Sequence, residues 1–223
     1  MSKKPRIVSI ANSKGGVGKS IITIHVAMAL ATQKKKKVLI LDCDSQGSIT
    51  ELYDFEKLAN DDEPLIEVEE ITPRKVQSFI KRFGEDYDVI FIDVPRMTDA
   101  RKDSATIMLL YNCEGILIPV IGSEVDVLSS MDFVSILEEA ANEKQDMGED
   151  LKYWGFINRR NQRKSNETAE SNMKERGLKM FQNSLSDIRI FTEPSFYGSI
   201  LNTAEGERRF GPFFKEYCRK FKF

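Results

Sequence analysis

The densest chemistry in the sequence lies in Lys14-Gly-Gly-Val-Gly-Lys-Ser20. Glycines let backbone N–H groups curl around phosphate oxygens, and a lysine closing such a turn can reach the β and γ phosphates. Lys19 holds that place, and Ser20 follows with a hydroxyl suited to a magnesium ion. The usual pattern GxxxxGK(S/T) asks for glycine at position 13, where this chain has serine. Two apolar runs end in acid: Val38-Leu-Ile-Leu-Asp42, followed closely by Asp44, and Val89-Ile-Phe-Ile-Asp93. Together these residue types imply phosphate binding next to carboxylates able to organise a cation or a water.

Such groups meet only if the chain holds them at one end of a sheet. Ile7 to Ala11 reads as a short buried strand, and Lys19 to Thr32, apolar nearly all round, as a buried helix. The glycine-rich turn thus lies between a strand and a helix, where the helix N-terminus adds its partial positive charge. Val38 to Asp42 is a continuous apolar run of the kind that strands buried on both faces require. Leu65 to Val68 reads as a weak strand, Pro73 to about Phe83 as a helix opened by proline, and Tyr87 to Asp93 as another strand. Alternation continues through a helix near Ala100 to Leu110, a strand Gly115 to Val120, a helix from about Val125 to Asn142 and a strand Tyr153 to Asn158. A polar helix or loop near Ser165 to Arg176, an edge-like strand Ile188 to Phe191 and a helix from about Ala204 complete the chain. Repeated βα alternation predicts an α/β fold: a doubly wound, mostly parallel sheet with ligands at the carboxyl ends of its strands.

With 223 residues the chain suits one domain spanning 1–223, since that length buries roughly 70% of its unfolded surface. Hydrophobic residues at 41% and charged residues at 30% describe an ordinary globular chain, and no apolar run approaches the ~18 to 20 residues of a membrane span. Met1-Ser-Lys-Lys-Pro leads straight into the first strand with no export signal, so a cytoplasmic protein is expected. Cys43, Cys113 and Cys218 are too widely spaced for a metal or redox pair and read as buried small hydrophobes. The sole histidine, His25, sits in an apolar run and reads as structural. Net charge is −2, but its distribution is uneven. Residues 1 to 37 carry nine Lys or Arg and no acid, whereas residues 51 to 70 carry nine Asp or Glu against Lys57. Basic residues return in the last third, with Arg159, Arg160, Arg163 and Lys164 clustered and six more between Gly206 and Phe223.

Lys14 at the start of the loop, with Lys19 near its end, resembles the deviant Walker A motif of the ParA/MinD class of P-loop ATPases. The resemblance implies that Lys14 reaches across a dimer interface to the partner's nucleotide. Leu41-Asp-Cys-Asp-Ser-Gln-Gly-Ser48 resembles the family's DxDPQG segment, with Ser45 in place of the usual proline. That likeness implies a place in the Mg shell for Asp42 and a role in positioning water for Asp44. Val89 to Asp93 resembles a Walker B strand, which implies that Asp93 holds a water of the Mg shell; its sequel Val94-Pro-Arg-Met departs from the common DxPP at Arg96. Ile118-Pro119 and Phe156-Ile-Asn158 match the family's strand ends, and Thr192-Glu-Pro-Ser-Phe-Tyr-Gly198 resembles its EAPSxG segment. The implied catalytic residues are Lys14, Lys19 and Asp44. The implied nucleotide contacts are Lys14, Gly15, Gly16, Val17, Gly18, Lys19, Ser20 and Ile21, with Asn158 and Pro194 toward the base. Ser20, Asp42 and Asp93 are the implied metal residues, and ATP and Mg2+ the cofactors.

Within that class no cysteine pair suits an iron–sulfur carrier or a zinc-clasped targeting ATPase, and no helix-turn-helix precedes the first strand. The sequence is most similar to short partition ATPases that leave operator binding to other proteins. That likeness implies an ATP-hydrolysing dimerisation switch that positions or segregates DNA of a plasmid, chromosome or mobile element. Its expected partners are a second copy sandwiching ATP, non-specific DNA and a ParB-like centromere-binding activator, with nucleoid association when ATP is bound. Arg189, Arg208 and Arg209 fall where related partition ATPases place DNA contacts. The alternative is a MinD-like membrane-associated positioning ATPase, because Phe210, Phe213, Phe214, Tyr217 and Phe221 recur at helical spacing. Core packing is the expected fate of that stripe. Asp42, Asp44 and Asp93 together argue against a non-hydrolysing scaffold.

Overall fold

The computed structural model describes residues 4–97, 104–122, 124–160 and 165–223. Strands β1 (Arg6–Ile10), β2 (Val38–Asp42), β3 (Glu67–Glu70), β4 (Val89–Asp93), β5 (Gly115–Val120) and β6 (Lys152–Ile157) form one six-stranded sheet in the order β3-β2-β4-β1-β5-β6. Every neighbouring pair is parallel. Helices α1 (Lys19–Lys34), α2 (Ser48–Ala59), α3 (Val76–Phe83), α4 (Ser104–Asn112), α5 (Glu124–Asp146), α6 (Ser165–Glu175) and α7 (Ala204–Phe221) connect or cover the strands.

Side chains alternate along each strand, and in β1, β2, β4 and β5 both faces are buried. Val8, Ile40, Phe91 and Leu117 point to the face covered by α1 and α7, while Ile7, Leu41, Ile92 and Ile118 point to the face covered by α3, α4, α5 and α6. This is why the strands read as unbroken apolar runs. From β1 the chain winds to β2 and β3 on one side, returns through β4, and then places β5 and β6 on the other. The turn after β1 therefore lies where the winding reverses, the position at which open α/β sheets bind ligands. Asp42 and Asp93 are paired in register at the carboxyl ends of β2 and β4.

Aromatic residues on α7 face inward. Phe210, Phe213, Phe214, Tyr217 and Phe221 are all buried, with Phe213 4.9 Å from Phe156 and 5.6 Å from Phe181 between ring centroids. What α7 exposes instead is Ala204, Glu205, Glu207, Arg208, Arg209, Pro212, Lys215 and Arg219, so the aromatic stripe is not left on its outer face. No helix among the described residues is long and apolar enough to cross one. Lys220 lies over the Trp154 ring, 3.7 Å from its centroid, joining α7 to β6.

Two features depart from the sequence reading. Ile188 to Phe191 is no strand: Arg189–Phe191 forms a 3-10 turn. Residues 179 to 186 already occupy the edge of β6, through backbone bonds between Gly155, Ile157 and Arg160 and residues Lys179, Phe181 and Leu185. The later segment instead drops buried Phe191 onto α1, where the Phe191 carbonyl meets His25 Nε2 at 3.3 Å. Second, Ser48 to Ala59 is helical although only Ile49 in it is buried, too thin a stripe for periodicity to register. Of the expected basic cluster, Arg163 and Lys164 lie outside the described residues, as does the start of the helix expected from Ala100.

Candidate functional site

Between β1 and α1 the chain is held from its first residue. Buried Asn12 donates through Nδ2 to the Pro119 carbonyl and to Ser130 Oγ, each at 2.9 Å, and its Oδ1 accepts the Lys14 N–H at 3.1 Å. The loop then turns through Gly16 at φ +74° and Gly18 at φ +93°, conformations that side chains bearing a Cβ resist. Gly18 caps α1 without a side-chain acceptor, and the first turn of α1 carries no acid. Its leading N–H groups are therefore left to bind an anion.

Lys19 is buried under the loop, where Nζ donates to the Lys14 carbonyl at 3.1 Å. Burial pushes its pKa down, while the charges of Asp93 and Asp44 oppose that shift. A phosphate would offer this ammonium a full counter-charge in place of a single carbonyl. Ser20 Oγ donates to Asp93 Oδ2 at 2.8 Å. Asp93 is itself buried, and burial raises its pKa to about 7, with the Ser20 hydrogen bond pulling down and the Asp42 charge pushing up. Its other oxygen, Oδ1, is buried with no hydrogen-bond partner among the described residues.

Asp42 accepts the Asp44 N–H at 3.2 Å and both the N–H and hydroxyl of Thr50 at 3.0 Å, which ties the end of β2 to the first turn of α2. Partly exposed Asp44 accepts the Gln46 N–H at 3.0 Å. The unpartnered Asp93 oxygen, the Ser20 hydroxyl and the Asp42 carboxylate are hard oxygen donors and fit a magnesium ion. Among the described residues no cluster of three or more His, Cys, Asp or Glu could cage an ion. Magnesium needs no such cage, since it keeps waters and phosphate oxygens in its shell. A cavity of about 600 Å³ opens on the other side of Asp44, between the ends of β2 and β3 and α3, lined by Asp44, Glu70, Lys75, Phe79 and Arg82 among others.

The remaining residues singled out by sequence divide. Buried Asn158 stands against the loop, donating through Nδ2 to the Val17 carbonyl at 2.8 Å, and a Cβ on Gly18 would lie 2.6 Å from that nitrogen. Pro194 precedes Ser195 and Phe196, whose hydroxyl and N–H both donate to Glu56 of α2. Its loop is thus held by α2 rather than by the phosphate turn. Arg189 pairs with Glu193 at 2.8 Å and Arg208 with Glu205 at 3.8 Å; both arginines and Arg209 are exposed. Sequence reasoning missed Asn12 and Thr50. A polar residue directly after an apolar strand was the available signal for Asn12, but its partners lie 107 and 118 positions away.

The model of the CobQ/CobB/MinD/ParA nucleotide binding domain matches residues 8–207. The chain belongs to this family. A curated relative is the maintenance of carboxysome distribution protein A of Halothiobacillus neapolitanus, 29% identical over 140 residues. The match covers 62% of this chain and 61% of that relative, so the chain spans less than two thirds of the protein it matches. Among solved structures, an ATP complex of Cyanothece McdA superposes with a TM-score of 0.75 over 99% of this chain and 98% of that one, at 16% identity. A putative plasmid partition protein from Borrelia burgdorferi bound to AMPPNP gives 0.68 over 98% and 100%, at 21% identity. At these identities the likeness establishes the fold: a six-stranded parallel sheet of the ParA type.

Proposed function

We propose that the protein is an ATP-driven dimerisation switch that positions a cargo, DNA in the first instance. The observation that carries this reading is the pair of lysines on one loop, Lys19 buried beneath it and half-buried Lys14 at its opening, beside Asp42, Asp44 and Asp93. ATP with Mg2+ is the ligand. Ser20, Asp42 and Asp93 would hold the ion, which neutralises phosphate charge when bound. Lys19 takes the β and γ phosphates, leaving the Lys14 carbonyl. Asp44, on the rim of the site, would hold an attacking water. Asn158 fixes the loop from the side and stands beside the base with Pro194. Lys14 acts on the nucleotide of a second copy, so that two chains enclose the ATP between them.

ATP-dependent, sequence-independent DNA binding follows from the same design. Backbone binding depends on local cations rather than on total charge, and pairing two copies doubles their number. Arg189, Arg208 and Arg209 are the candidate contacts, Arg208 and Arg209 on the exposed first half of α7 beside Glu205 and Glu207; a ParB-like activator and a cytoplasmic, nucleoid-associated location complete the reading. The burial of the α7 aromatics removes the observation on which the MinD-like alternative rested.

The test is size-exclusion light scattering with a slowly hydrolysed ATP analogue, followed by DNA co-sedimentation over a salt series. Wild type should be dimeric and bind DNA with affinity falling linearly on logarithmic axes, by about 0.9 in slope per phosphate contact. Lys14→Ala should bind nucleotide as a monomer and lose DNA. A Lys14→Ala dimer indistinguishable from wild type would overturn the reading.

A further inference from the structure

Arg96 is the residue at which the chain departs from the family's DxPP, and the structure gives it a definite position. The segment leaving β4 is anchored by buried Val94 on one side of Arg96 and buried Met97 on the other, which turns the arginine outward. Its side chain lies flat against the opening of the phosphate loop. A Cβ on Gly15 would stand 2.9 Å from Arg96 Cδ and 3.1 Å from Nε, so the arginine lies in contact with the loop at a position where glycine lets it approach. Among the described residues Arg96 makes no hydrogen bond or ion pair. Its charge also acts on Lys19, lowering that ammonium's pKa.

Beside the Lys19 ammonium, this guanidinium adds positive charge at the mouth of the loop, where an anion would be attracted. Its own strand ends in Asp93, the carboxylate beside Ser20 on the side of the loop where the metal and terminal phosphate belong. From this position the guanidinium fork meets phosphate oxygens rather than ribose or base. We propose that Arg96 is a phosphate-contacting residue acting in cis, reading the terminal phosphate of the triphosphate bound by its own chain. Resting on the ATP reading above, it adds a division of labour: Lys14 reports the nucleotide to the second copy, whereas Arg96 distinguishes triphosphate from diphosphate within one.

Equilibrium titration of ADP and of a slowly hydrolysed ATP analogue decides the matter, comparing wild type, Arg96→Ala and Arg96→Lys, each also in a Lys14→Ala background. A charge-assisted hydrogen bond predicts that Arg96→Ala weakens the analogue about 10- to 100-fold while ADP changes less than about 3-fold. Arg96→Lys should recover part of the difference, and the effect should persist with Lys14 replaced. Equal losses for both nucleotides, or none, would overturn the assignment while leaving the ATP reading intact; a wild type that binds neither nucleotide would overturn both. Because Arg96 is exposed, its truncation opens no cavity. Should Arg96→Ala nonetheless fail to fold, Arg96→Lys carries the test alone, through a smaller loss confined to the triphosphate.

Discussion

At the scale of single residues, the placement of Asp93 carries a cost. The residue is buried, one oxygen lacks a partner among the described residues, and burial lifts its pKa from 3.8 to about 7. Because the folded value lies above the unfolded one, the penalty is absent below about pH 4, grows as pH rises and is complete above about pH 7. Its size is roughly 4 kcal/mol at about 1.4 kcal/mol per pKa unit. Asp93→Asn should therefore stabilise the nucleotide-free protein by about 2–4 kcal/mol at pH 8 and by far less at pH 4.5, while abolishing Mg-dependent nucleotide binding. Urea melts in chelator at the two pH values measure this, and a pH-independent difference would refute it. The same residue shows what a sequence discloses. Lys14, Lys19 and Ser20 can be singled out because a phosphate turn is local and its residue types follow from spacing, and Asp93 because it closes a continuous apolar run. Asn12 and Thr50 cannot, because hydroxyls and amides acquire meaning only from distant or folded partners.

Among the elements, α7 shows how a charge can fasten one segment to another. Glu216 is buried, and its carboxylate accepts the N–H groups of Gln182 and Asn183 at 3.0 and 2.9 Å and the Asn183 amide at 2.7 Å. Glu216→Ala should cost roughly 1–3 kcal/mol, since three part-buried donors lose their charged acceptor at once, and Glu216→Gln less. Denaturant midpoints check both, and a loss below about 0.5 kcal/mol would mean that water replaces the carboxylate. Legibility follows burial at this scale too. β1, β2, β4 and β5 are readable because both faces are covered and nearly every residue short of the terminal carboxylates is apolar. Edge strand β3 begins two residues later than expected, at Glu67 rather than Leu65, since a Glu-Val-Glu-Glu edge strand owes its place to backbone pairing with β2. Ile188 to Phe191 misled for the opposite reason: a short apolar run signals burial without saying by which backbone.

For the molecule as a whole, two buried titrations oppose each other. His25 is structural, as its apolar surroundings suggested; burial lowers its pKa from 6.5 to about 4. A depressed base contributes stability that is full above about pH 6.5 and lost as pH falls toward 4, roughly 3 kcal/mol in all. Asp93 contributes a change of similar size and opposite sign over nearly the same interval. The wild-type acid limb should therefore be shallow between pH 4 and 7. His25→Gln should become more stable relative to wild type as pH falls through that window, and chemical denaturation at half-unit steps reads the difference. A parallel shift at every pH would show that His25 is not held neutral by burial. The chain also contains its own optical probe. Trp154 is the sole tryptophan, and it sits on β6 beneath the ammonium of Lys220, with the Phe181 ring 6.2 Å away. An indole so placed emits from a packed, cation-capped setting, so its fluorescence spectrum registers whether the last helix is seated on the sheet, with no label attached.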